Sequence, residues 1–152
     1  MLKRLFDTKA GWGPFFLRLT LGTVFFVHGS QKVLGWFGGS GLAATYEGFT
    51  QHMGIPGVFA ALAIAAEFLG GIGLLVGLLT RIAAFGVGSV MVVAVYMVHW
   101  RNGFFMNWSG QMPAGTEGFE FHILAAGMAL ALIFLGGGRL SADRAVSKHL
   151  NL

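Results

Sequence analysis

The chain has 152 residues, of which 55% are hydrophobic and only 11% are charged. A soluble domain carries roughly 25% charged residues, so an ordinary water-facing surface is excluded. The lack of cysteine excludes a thiol relay, a disulfide framework and an iron–sulfur cluster on this chain. The net charge of +4 comes from residues flanking apolar runs, which is the pattern of topology signals and not of nucleic-acid binding.

The chain starts with Lys3, Arg4 and Lys9 against a single Asp7. Signal peptides share a basic start, but no small-residue cleavage site follows here, and the apolar run 13–34 is too long for their core. It reads as a retained transmembrane helix with Pro14 in its first turn. The segment Val27 to Trp36, VHGSQKVLGW, ends this run with His28, Gln31 and Lys32 at i, i+3 and i+4. That spacing puts all three on one side of the helix. Polar groups at such a depth are costly and are candidates for function.

The WFGGSG stretch then breaks the helix, and Ser40 is expected to cap a short interfacial helix over 41–53. Leu42, Tyr46, Phe49 and Met53 share one face of it, as in a helix lying on a membrane surface. A second span covers 57–79, with Glu67 near its middle and Gly70, Gly73 and Gly77 as a small-residue stripe for a close neighbour. Thr80 and Arg81 turn into a third span, 82–100. A loop with Asn102, Trp108 and Pro113 leads to a fourth span, 119–135. After Gly136 to Gly138 comes a tail, 139–152, in which Ser141 caps a surface helix. The predicted fold is an all-α membrane protein: one domain, 1–152, forming a four-transmembrane-helix bundle with a short interfacial helix in its first outer loop.

Seven of the ten Lys and Arg residues (Lys3, Arg4, Lys9, Arg81, Arg139, Arg144 and Lys148) lie in the N-terminal segment, the 80–81 turn and the tail. The positive-inside rule makes that side, with both termini, cytoplasmic. The two halves then run in the same direction, and Val27–His28 before Trp36 faintly echoes Val98–His99 before Trp108.

In this topology the outer helix ends bring His28, Gln31 and Lys32 towards His99, Arg101, Glu120 and His122. Glu67 lies roughly 15 Å deeper, at 1.5 Å per residue. Arg18, His28 and Lys32 share one side of the first helix, which is expected to face the bundle interior. Lys32, Arg101 and His122 are near enough to the boundary to snorkel, and Arg81 is read as a topology residue. A charge in mid-membrane must be neutral, paired or wetted, so an Arg18–Glu67 structural pair stands against a proton-handling or ligand-binding role. Residue types also permit a haem between His28 and His99, a metal site from Glu67, His99 and Glu120, or a quinone headgroup site walled by Phe25, Phe26 and Phe121.

These pieces together resemble the DoxX family of small four-helix bacterial membrane proteins. The resemblance rests on RLTLG (Arg18 to Gly22), HGSQK with GWFGGSGL (His28 to Leu42) and the segment from Phe49 to Pro56. It continues through EFLGGIGLLVGLLTR (Glu67 to Arg81), Val98 to Phe105, GFEF (Gly118 to Phe121) and GGGRLSAD (Gly136 to Asp143). Members are described as oxidoreductases or as membrane subunits that work with them. One related group resembles the quinone-facing subunit of a thiosulfate:quinone oxidoreductase, and another member type is linked to assemblies handling thiols and oxidative stress. The motif residues carried over are Arg18, His28, Lys32, Glu67, Arg81, His99 and Glu120.

The resulting expectation is a multi-pass subunit of the bacterial inner membrane that binds a quinone or similar apolar molecule beneath its outer face. Protein partners in a redox assembly are expected, and nucleic acid is not. Glu67, Glu120 and His99 form the expected catalytic group, His28, Gln31, Lys32 and Arg18 the ligand-binding group, and no metal site is expected. The competing expectation is a non-catalytic scaffold or small-solute permease.

Overall fold

Glycine and proline set where the helices start and stop. The computed structural model describes residues 5–8, 11–113 and 115–149, so the basic residues Lys3, Arg4 and Lys9 lie outside the described residues, as do 150–152 of the tail. Helix α1 spans Trp12–Leu34. Pro14 sits in its first turn, where no intrahelical N–H is needed, and Gly35 ends it in the left-handed region at φ 70°, returning its N–H to the Ser30 carbonyl.

Helix α2 spans Gly41–Glu47 and continues as a wider π turn, Gly48–His52. The expected Ser40 cap is not made. Ser40 lies at φ −85°, ψ −13°, a helical conformation and not the extended one from which a side chain caps. Helix α3 spans Gly57–Val76 and stops short of Leu79 because Gly77 turns left-handed at φ 71°. Helix α4, Thr80–Met97, starts before the predicted Ile82 and gives way to a 3-10 turn over His99–Asn102. Helix α5 spans Glu120–Leu135, and the tail helix α6 spans Ala142–His149. The Ser141 hydroxyl accepts the Arg144 N–H at 3.3 Å, so the expected cap of α6 is present. Among the described residues the protein is all-helical.

The four long helices pack in a closed order: α1 on α3, α3 on α4, α4 on α5, and α5 back on α1. Leu21, Phe25, Leu74, Val87, Met91, Ala129 and Leu132 fill the centre. The closest approach joins α1 and α3. A Cβ on Gly29 would stand 2.5 Å from the Phe68 Cα, and one on Gly71 would stand 2.5 Å from the Phe26 amide nitrogen. Neither could be accommodated without moving backbone. In the predicted glycine stripe, Gly70 and Gly73 do face α4, against Val87 and Ala83. Gly77 instead caps α3 beside Ser141 and Arg18.

At one end of the bundle the tail is fastened by Asp143. Its carboxylate accepts the Leu79 and Thr80 N–H groups at 2.7 and 2.9 Å, and its own N–H donates to the Gly77 carbonyl at 2.9 Å. Helix α4 is therefore capped by a residue 63 positions away from Thr80, satisfying donors that every helix start leaves open.

Helices α3 and α4 are long and apolar enough to cross a membrane, with mean hydropathies of 2.1 and 1.6. Helix α5 is apolar but shorter, at 16 residues. Every long helix exposes large apolar side chains: Phe16, Leu62, Phe85 and Leu124 are exposed by 60%, 60%, 66% and 69%, while α1 also exposes Thr20, Thr23 and His28. So much exposed apolar surface suits a lipid surround and not water.

The α1–α3 contact makes a direct prediction. Gly29→Ala and Gly71→Ala should each destabilise the bundle by about 1–3 kcal/mol through overpacking, read as earlier thermal unfolding in detergent. Gly127→Ala, whose added Cβ meets nothing within 4 Å, should leave the transition unchanged.

Candidate functional site

The deep carboxylate of the bundle, Glu67, is buried on α3, and its partner is Lys32 from the last turn of α1. Lys32 Nζ stands 2.5 Å from Glu67 Oε2, with the two side chains 22% and 7% exposed. Gly29 makes this reach possible, because it lets α1 lie directly on the Glu67–Phe68 backbone. The expected Arg18–Glu67 pair is therefore not formed, and Lys32 does not simply snorkel. Phe26 and Phe68 stack beside the pair at 6.2 Å. Val33 and Phe68, the chain neighbours of Lys32 and Glu67, line an apolar groove of about 650 Å³ that is completed by Leu42, Tyr46, Ile64 and Leu69. Helix α2 roofs this groove, so the face carrying Leu42 and Tyr46 has a definite place in the fold.

Gln31 donates to the Phe37 carbonyl at 3.2 Å and holds the WFGG turn. His28, one turn before Lys32, is exposed on the surface of α1. The polar side of α1 is thus varied: Arg18 is buried, Lys32 is paired, and His28 is exposed yet close to Lys32, Glu67 and Gln31.

A second polar group gathers where α4 ends and α5 begins. His99 Nδ1 lies 2.7 Å from the Glu117 carbonyl oxygen. Only a protonated ring nitrogen can make that contact, so Nδ1 carries the hydrogen. The His122 ring lies 4.0 Å from that of His99. His122 is buried, and its Nδ1 has no hydrogen-bond partner among the described residues. Glu120 accepts from the Trp108 indole N–H, in the first turn of α5, where the helix dipole favours a negative charge. Snorkelling was the wrong expectation for His122. It continues the buried stripe of Ala125, Ala129 and Leu132, and that spacing was available in the sequence.

Arg18 lies at the opposite end. Its Nε donates to Gly137, its Nη1 to Leu74 and Leu75 at 3.1 and 2.6 Å, and its Nη2 to Arg139 and Leu140 at 3.3 and 2.5 Å. All five guanidinium donors are taken by carbonyl oxygens, which leaves none for a ligand. Arg81 likewise donates to the Ile133 and Asp7 carbonyls, tying α4 to α5.

The polar residues at the end opposite Arg18 thus form two groups, Lys32–Glu67 with its groove and His99–His122 with Glu120. Among the described residues no hydrogen bond or ion pair connects them. Glu67, His99 and Glu120 do not assemble as a metal triad, and no cluster of three His, Asp or Glu residues suited to an ion occurs among the described residues.

The model of the DoxX family matches residues 13–100, from α1 into the 3-10 turn, and includes Arg18, His28, Gln31, Lys32, Glu67 and His99. The chain belongs to the DoxX family. It is 28% identical over 116 residues to the inner membrane protein YqjF of Escherichia coli K12, covering 75% of this chain and 81% of that one. It is also 28% identical over 120 residues to a protein of Bacillus subtilis 168 named "Putative oxidoreductase CatD", covering 79% of this chain and 78% of that one. No solved structure matches it. The family and these relatives make it a membrane protein.

The ion pair can be tested by a double-mutant cycle. Lys32→Met leaves a buried carboxylate unpaired and should cost about 3 kcal/mol, whereas Lys32→Met combined with Glu67→Leu should recover most of it. Thermal unfolding in detergent reads both. An equal loss in the single and double variants would refute the pairing.

Proposed function

We propose that this chain crosses the bacterial inner membrane four times, through α1, α3, α4 and α5, with both termini in the cytoplasm. In this reading it is an oxidoreductase-associated subunit that binds a quinone or similar apolar molecule near its outer face. The membrane placement is supported by the family, by the name of the E. coli relative and by the apolar exteriors of the long helices. Orientation is supported by Arg81, Arg139, Arg144 and Lys148 gathering at the end opposite Lys32 and Glu67. The oxidoreductase association is supported by the name of the B. subtilis relative.

The observation that carries the ligand reading is the Lys32–Glu67 pair beside the apolar groove. An ion pair at membrane depth is expensive and marks a site where charge is used. The Lys32 ammonium has three N–H donors and gives one to Glu67, so others can meet a quinone carbonyl. Phe68 offers a face for the ring, and the groove under α2 suits an isoprenoid tail. Glu67 handles the proton that accompanies reduction, and His99 and Glu120 pass protons at the outer surface. The chain has no cysteine, so any thiol that supplies electrons belongs to a partner or a substrate. The scaffold reading has its own support: Glu67 is already neutralised by Lys32, and Arg18 is wholly engaged by backbone.

Titration of the full chain in nanodiscs with a short-tailed ubiquinone or menaquinone separates these readings. Saturable binding is expected, weakened roughly tenfold in Glu67→Gln by loss of a charge-assisted contact. No saturable binding, together with Glu67→Gln cells indistinguishable from wild type, would sink the quinone site in favour of the scaffold. Because the chain lacks cysteine, single substitutions report topology. A membrane-impermeant maleimide on spheroplasts should label Ser109→Cys directly and Lys148→Cys only after permeabilisation. The reverse pattern would invert the orientation.

A further inference from the structure

Beyond its topology signal, the cationic end of the bundle forms a shaped cleft. It lies between the start of α1 and the tail helix α6, has a volume of about 480 Å³, and is lined by Trp12, Arg139, Leu140, Arg144, Ala145 and Lys148. Three cations therefore converge on it. Arg139 lies over the Trp12 ring, 5.2 Å from its centre, which fixes the guanidinium against an aromatic wall. Arg144 and Lys148 are one turn apart on α6, an arrangement that repels in the absence of a counter-charge.

Among the described residues no carboxylate answers these cations. Asp143, the nearest in sequence, is buried with both oxygens on the Leu79 and Thr80 amides. Asp7 gives its carbonyl to Arg81 on the α4–α5 side and does not line the cleft. Leu140 completes the arrangement. It sits in the left-handed region at φ 53°, held there by Arg18 through its carbonyl, and its side chain is 72% exposed. A leucine held in that conformation and turned outward costs free energy in water but gains it in an acyl layer.

We infer that this cleft binds the phosphate headgroup of an anionic phospholipid in the cytoplasmic leaflet. Arg139, Arg144 and Lys148 hold the phosphate, and Trp12 and Leu140 contact the glycerol and upper acyl chains. Basic pockets at the cytoplasmic side of membrane helices are suited to such headgroups. Arg18 is then a positioning residue, since it pins the 137–140 loop that carries two of the contacts. The inference rests on the membrane placement proposed above but not on the quinone site.

The test uses the full chain in neutral detergent, with lipid binding counted by native mass spectrometry and stability followed by thermal unfolding. Phosphatidylglycerol should bind and raise the unfolding temperature, and phosphatidylcholine should do neither. Arg144→Gln combined with Lys148→Gln should weaken phosphatidylglycerol binding roughly thirtyfold, from about one kcal/mol per cation near an anionic lipid. Arg101→Gln, at the other end, should leave it unchanged. Equal retention of both lipids, or equal binding by the double variant, would overturn the site. Displacement by glycerol phosphate at equal concentration would reassign it to soluble phosphates. Quinone titration of the same double variant should match wild type, so failure of either site is read separately.

Discussion

The five hydrogen bonds of Arg18 are the constraint on which one whole end of the molecule depends. A guanidinium buried in an apolar bundle cannot stay unsolvated, and here every donor meets a carbonyl left open at a helix end or in a loop. Leu74 and Leu75 belong to the last turn of α3, and Gly137, Arg139 and Leu140 to the connection after α5. One side chain thus joins three segments and satisfies carbonyls that would otherwise need water. Asp143 does the complementary work with the N–H groups that open α4. Together they hold α6 against the bundle and give the cationic end its shape.

The two ends satisfy charge differently. At the Arg18 end the buried charges bond to backbone, which cannot be displaced without unwinding a helix end. At the other end Lys32 meets Glu67 and Trp108 meets Glu120, side chain to side chain. Such pairs can separate by rotamer changes alone. His122 is buried at this same end, with an unpartnered Nδ1 among the described residues.

Glycine links this chemistry to the packing. Because Gly29 and Gly71 carry no Cβ, α1 and α3 meet backbone to backbone, and Lys32 can span the remaining distance to Glu67. A side chain at either glycine would separate the helices and break the pair, so stability and the candidate site share one contact. The same approach leaves the groove between α1, α2 and α3 apolar and open to the surround.

Local pattern in the sequence was enough for the four long helices, the break after Leu34, the Ser141 cap and the family. These follow from apolar run length, from residues confined to caps and turns, and from motifs whose members lie close along the chain. Tertiary structure alone decided that Glu67 pairs with Lys32 and not Arg18, that Arg18 is wholly bound by carbonyls, and that α4 is capped from the tail. It also divided the polar residues opposite Arg18 into two groups where helix-end arithmetic suggested one. Helical periodicity tells which side of a helix a residue occupies. It does not tell how closely two helices approach or which neighbour that side meets, and those depend on where a missing Cβ lets two backbones touch.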